Sequence, residues 1–175
     1  MKKNNAAAVA LVSQLCPQCG LCCNGVLFKD VRLQPGDNAR RLEGGGLPLR
    51  HIRGRTVFPQ PCACFDGSRC RIYAERPEQC RAFECGLLKR AAAGELEVSA
   101  ALEKINQARR QANQVLQRIR RLGDRDEQAA LTRRYARVMR QPIDLAGPED
   151  EVERRGELMR AMSQLMQKLQ RDFLR

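Results

Sequence analysis

Tryptophan is missing from this 175-residue chain, histidine occurs once, and phenylalanine and tyrosine together number seven. So few aromatic rings exclude a base-stacking platform, and single-stranded nucleic acid then has charge alone in its favour. One histidine, His51, in an arginine-rich loop cannot anchor a Ser-His-Asp arrangement and reads as an ordinary surface or packing residue. No glycine-rich phosphate loop precedes a helix, and no C-x3-C-x2-C motif occurs. No segment approaches the eighteen or so apolar residues of a membrane span, so no membrane partner is expected. The opening MKKNNAAAVALVSQL has only a weak apolar stretch with no small-residue cleavage pattern, and Leu15 before Cys16 argues against a lipoprotein. It reads as a cytoplasmic N-terminal helix leading into cysteines.

Cysteine is what the chain has in plenty. All nine cysteines lie in the first half, and four fall within CPQCGLCC, Cys16 to Cys23. In a reducing compartment such a count points to metal ligands or redox chemistry rather than disulfides, and an odd count agrees. The net charge is +12. Residues 1–94 hold 15 Lys and Arg against 7 Asp and Glu, the remainder 17 against 13. A zinc ion held by four thiolates is a dianion, so much of the basic excess in the first part serves to neutralise a metal centre.

The chain divides by composition into residues 1–94 and 95–175. In the first part, VLFKDVRL and HIRGRTVF read as short strands and GDNARRLEGGGLP as turn. Apolar side chains are too few there to fold a domain without a staple. In the second part, Val98, Ala101, Ile105, Ala108, Ala112, Val115, Ile119 and Leu122 form the seam of a long helix that stops at Gly123. Asp124 and Glu127 resemble a capping box for a second helix with Leu131, Tyr135 and Val138 on its face and Pro142 at its end. Gly147, Pro148 and Glu149 suit the start of a third, whose stripe is Val152, Met159, Met162, Leu165, Met166, Leu169 and Phe173. The three methionines read as core. The expected fold is mainly α: a small irregular cysteine-ligated metal domain with little β, then a three-helix bundle or hairpin.

The first three cysteines follow C-x2-C-x2-C, a spacing shared by ferredoxins and, in part, by zinc knuckles, which leaves the metal open. Neighbouring side chains in extended chain point to opposite faces, so Cys22 and Cys23 do not readily grip one ion. Pro77 suits the first turn of a helix carrying Cys80. If that helix is regular, Cys85 lies about 140° round it at roughly 100° per residue. Both arguments favour two neighbouring centres on one scaffold.

The ordered string Cys16-x2-Cys19-Gly20-x-Cys22-Cys23, Val31-x-Leu33-x3-Asp37, Cys64-Phe65-Asp66 and Cys70-x-Ile72-Tyr73-x2-Arg76-Pro77-x2-Cys80-Arg81-x-Phe83-x-Cys85 resembles the CxxCxxCC, or YkgJ-like, cysteine-cluster proteins, over roughly residues 14–90. The resemblance implies a zinc- or iron-chelating domain with ligands Cys16, Cys19, Cys22, Cys23, Cys64, Cys70, Cys80 and Cys85. Cys62 has no counterpart in it and reads as a spare thiol. Tyr73 and Arg76 read as support around the ligands. The expected function is a zinc-binding structural module whose helical part engages a protein partner. The alternative is an iron–sulfur protein with a redox or enzyme-associated role. Nucleic acid ranks last as a partner.

Overall fold

The structure is a computed structural model that describes residues 11, 14–143 and 150–175. A short helix, α1 (residues 14–19), leads into the first cysteine loop. Then come β1 (Asp30–Arg32), α2 (Ala39–Gly44), β2 (Arg50–Ile52), β3 (Arg55–Pro59), a 3-10 turn at Tyr73–Glu75, α3 (Glu78–Ala82) and α4 (Gly86–Ala92). Three longer helices follow: α5 (Val98–Arg121), α6 (Leu131–Arg140) and α7 (Asp150–Asp172). The fold is mainly helical, as expected, with one small sheet among the described residues.

That sheet is antiparallel, in the order β1-β3-β2. The stretch HIRGRTVF, expected as one strand, is a hairpin that pairs Ile52 with Arg55. Arg53 and Gly54 both take positive φ at its turn, as the two-residue connection matching strand twist requires. The arginine hides this turn from sequence reading, because glycine or asparagine is usual there. The turn-rich stretch before it contains α2, started by Asn38, whose side chain accepts from Arg41 N at 3.0 Å. Val31, Leu42, Leu47, Phe58 and Cys64 form a small core under the sheet.

Pro77 does stand at the start of the helix carrying Cys80. That helix ends at Ala82, however, and Cys85 is the N-cap of the next one, its Sγ accepting from Leu88 N at 3.4 Å. The chain is extended at Phe83, whose ring meets Phe28 edge to face at 5.0 Å. The regular helix assumed to carry both Cys80 and Cys85 is therefore absent, because the chain breaks between them.

The α5 seam is buried at Ala101, Ile105, Ala108, Ala112, Val115 and Ile119, and the helix packs mainly along α7. Its alanines allow the axes to approach closely. The expected capping box is not formed. Asp124 is instead a buried carboxylate gripped by Arg134 at 2.9 Å and Arg137 at 3.0 Å, Glu127 pairs with Arg120, and α6 begins at Leu131. On α7 the expected stripe is partly displaced: Val152, Met159 and Met166 are exposed, whereas Leu158, Met162, Leu165, Leu169 and Phe173 are buried. The helix buries a face that includes the charged Arg155, Lys168 and Asp172, and apolarity alone does not reveal it. The expected start at Gly147, Pro148 and Glu149 lies outside the described residues.

One apolar cluster joins Leu15, Leu21, Val26, Leu87, Leu88 and Ala91 to the buried faces of α5, α6 and α7, so the main core contains residues from both sides of Gly94. The carboxylate of Asp172 lies near this junction with Arg171 at 3.2 Å, Lys168 at 3.3 Å and Lys104 at 3.6 Å. Burial opposes its charge, but these cations outweigh burial and hold the group at about 2. Asp172→Asn leaves Lys168 without its buried partner and should cost about 3 kcal/mol of stability at pH 7 in urea unfolding. Because the folded value is depressed, the aspartate's contribution is present above the ordinary value near 3.8 and is lost as pH falls toward 2. The difference between the two proteins should shrink across that window.

Candidate metal centre

The last turn of α1 carries Cys16 and Cys19, and Gly20 ends it. Gly20 N donates to Cys16 O at 3.2 Å, and Cys23 N and Asn24 N both donate to Gly20 O at 2.9 Å. The glycine has φ +65, and a Cβ there would come within 2.7 Å of the Phe65 ring. The residue between Cys19 and Leu21 must therefore be one without a side chain, so that the second cysteine segment can close over the first. Cys62 N donates to Cys23 O at 2.8 Å and fastens the two segments together. Asp66 accepts from Ser68 N and Arg69 N, tightening the turn that brings Cys70 back beside Phe65.

Eight cysteines line one cavity of about 560 Å3: Cys16, Cys19, Cys22, Cys23, Cys62, Cys70, Cys80 and Cys85. Seven are among the eight implied by the family pattern. Cys64 is not at the cavity wall; it is wholly buried under the sheet, and its Sγ donates to Gly45 O at 3.2 Å. Cys62 lines the cavity although the pattern leaves it out. Spacing could not have separated the two, because residues two apart in extended chain share a face. His51 is exposed on β2, its Nδ1 3.1 Å from Thr56 Oγ1.

Apolar side chains complete the wall, including Ile105 of α5 and Phe173 just past α7, and Phe173 O accepts from Gly86 N at 2.8 Å beside Cys85. Arg69, Arg76 and Arg81 supply the positive charge. Sequence reading gave Ile105 and Phe173 only a packing role, and nothing local marks them as wall residues. As the side chains stand, no three Cys, His, Asp or Glu groups among the described residues are arranged to hold a single ion. The thiols surround a space instead of converging on a point.

Burial pushes the thiols up: Cys16 to about 11, Cys19, Cys23 and Cys80 to about 12, Cys62 to about 11, and Cys22 well above its ordinary value. Neighbouring thiols add to burial in a pattern. Cys85 acts on Cys16, Cys19 and Cys22, Cys62 and Cys70 act on Cys23 and Cys80, and Cys23 also acts on Cys22 across the two groups. The packing divides the same way, since Cys19 and Cys85 lie against the helical core and Cys62 and Cys80 against the sheet core. Ionising such buried thiols needs a compensating cation, and metal ligation is the ordinary source.

The donor set fits a thiolate-bound metal group. Gln60, 2 % exposed, gives an independent sign: it borders the cavity, and its Oε1 is buried with no hydrogen-bond partner. Leaving such a group unsatisfied costs about 1–3 kcal/mol. With the amide turned over, Nε2 can donate to a metal-bound sulfur.

Residues 15–108 match the CxxCxxCC family, described as "Putative zinc- or iron-chelating domain". No curated protein and no solved structure shows a significant match to the chain. Membership carries metal chelation by the cysteine cluster to this chain without choosing the metal. No helix among the described residues is long and apolar enough to cross a membrane. With its cysteine string, its thiol-lined cavity and a matched segment covering more than half its length, the chain belongs to the CxxCxxCC family.

Proposed function

We propose that the protein is an iron–sulfur protein with two all-cysteine centres, one held by Cys16, Cys19, Cys22 and Cys85 and the other by Cys23, Cys62, Cys70 and Cys80. The observation that carries this reading is the spread of eight thiols round about 560 Å3 with no three gathered for one ion. A tetrahedral zinc with Zn–S near 2.3 Å would draw four sulfurs to within about 3.8 Å of one another. In a cluster each thiolate takes its own iron, so the sulfurs stand farther apart round a body. The C-x2-C-x2-C spacing with a distant fourth cysteine suits the first centre.

All-cysteine ligation leaves no iron open to a substrate, and the chemistry such centres supply is electron uptake and release. Apolar side chains make up much of the wall, and Arg69, Arg76 and Arg81 border it, where their charge would offset that of the thiolates. A second reading, two structural zinc ions, is favoured by the closed donor set and by a sheet core with few large apolar residues.

Anaerobically purified protein should be brown, with iron and acid-labile sulfide in equal amounts. A colourless protein carrying about two zinc ions per chain would establish the second reading, and a folded metal-free protein would remove both.

Ligand replacements test the two sets. Cys62→Ser and Cys85→Ser should each lose about half the bound metal, whereas Cys64→Ser should keep all of it. Loss of metal from Cys64→Ser with none from Cys62→Ser would restore the assignment implied by the family pattern.

A further inference from the structure

The loop that delivers Cys85 to the cavity is pinned from outside the cysteine segments. Its backbone is extended at Phe83 and again at Cys85. Among the described residues, Gly86 is the one position from Glu84 to Leu87 whose amide donates to another backbone group, and its acceptor is Phe173 O at 2.8 Å. Phe173 is itself firmly held: its amide donates to Leu169 O at 3.0 Å, and its buried ring forms cavity wall. One turn further along α4, Arg90 Nη2 donates to Asp172 O at 3.2 Å. Two adjacent carbonyls at the end of α7 thus hold the start of α4.

Gly86 fits this arrangement because it has no side chain. A Cβ there would overlap the carbonyl oxygen of Arg175 and lie 2.9 Å from its carbonyl carbon, and backbone atoms have no rotamer with which to turn away. The position opens α4 without a positive φ, so its own helix would accept alanine, the better helix former. The glycine therefore answers to residues 173–175 and not to α4. It follows Cys85 directly, and Cys85 caps the same helix through its sulfur. Whatever displaces Gly86 moves Cys85 with it.

We propose that Gly86 is a positioning residue which, with residues 173–175, forms a clasp that fixes Cys85 as a metal ligand, so that the end of α7 sets how firmly the first thiol set holds its metal. The inference rests on the two-centre reading and goes beyond it, because naming a ligand does not say what holds it in place. Cys16, Cys19 and Cys22 share one short loop closed by its own hydrogen bonds. Cys85 is the distant member of the set, and the clasp supplies the anchor that its own segment lacks. The coupling is reciprocal: a clasp that helps to hold metal is itself held by metal.

The test uses the loaded full chain, with iron or zinc alike, and compares Gly86→Ala with Cys85→Ser and, as a control, Leu158→Ala, which opens a void in the helical core away from the cavity wall. Metal content is measured first, then release to a strong chelator and thermal unfolding. Gly86→Ala should release about half its metal several times faster than the unsubstituted protein, the same half that Cys85→Ser lacks, while the other half leaves at the ordinary rate. Leu158→Ala should lower the melting temperature at least as far and favour neither half. Hydrogen exchange adds a readout with the clasp intact: the Gly86 amide should exchange about tenfold more slowly in the loaded protein than in Cys85→Ser. If Gly86→Ala does not fold, the exchange measurement decides. Should Cys85→Ser lose no metal, Cys85 is not a ligand, and the two-centre reading falls together with the clasp. Where Cys85→Ser does lose half, the reading stands, and three results each overturn the clasp alone: ordinary release from Gly86→Ala, the same one-sided release from Leu158→Ala, or equal exchange at Gly86.

Discussion

Negative charge on buried sulfur cannot gather without a cation among it. Eight thiols around one cavity repel one another as soon as they ionise, and burial makes ionisation of Cys19, Cys22 and Cys23 harder still. The organisation of the first half follows from this constraint. Cys22 and Cys23 are consecutive, so their side chains leave the backbone in different directions. Cys22 feels the charge of Cys23 as well as of Cys16, Cys19 and Cys85, and Cys23 that of Cys62, Cys70 and Cys80. Gly20 lets Phe65 close over the loop, and the hydrogen bond from Cys62 to Cys23 ties one segment to the other.

The helices are part of the same construction. Ile105 and Phe173 form cavity wall, Gly86 N is bound to Phe173 O beside Cys85, and Arg109 donates to Gln18 O at 2.6 Å between Cys16 and Cys19. Arg133 pairs with Asp30 at 2.7 Å and joins α6 to β1. The apolar cluster spans Gly94, so energy stored in the helical packing bears directly on how Cys85 and the α1 turn are held. The sheet side depends on fewer apolar contacts. Val31, Leu42, Leu47 and Phe58 supply its large side chains, and two thiols of the proposed second set, Cys62 and Cys80, lie against them. Metal at that set would tie together segments that burial alone secures weakly.

Several features were legible because they are local. The long seam from Ala101 to Ile119 obeys helical periodicity over enough turns to be unmistakable, whereas the divergence expected of Cys22 and Cys23 assumed extended chain and the two stand in a turn. Other features were hidden by a single residue whose partner lies far off. Asp124 looks like a cap and is a buried counter-ion, because Arg134 and Arg137 return to it from the next helix. Met159 and Met166 look like core and are exposed, because Lys168 and Asp172 neutralise each other and occupy the buried face instead.

The sequence by itself determined a helical second half, a cysteine-rich first half and a metal as the reason for the cysteines, since composition and short spacings suffice for these. Only the tertiary structure decided that Cys62 borders the cavity while Cys64 turns under the sheet, and that Ile105 and Phe173 help to enclose the thiols. The physical reason is distance along the chain. Which thiols lie together depends on how the 16–23 loop, the 62–70 turn and the break between α3 and α4 pack against one another, and no spacing within any one segment encodes that packing.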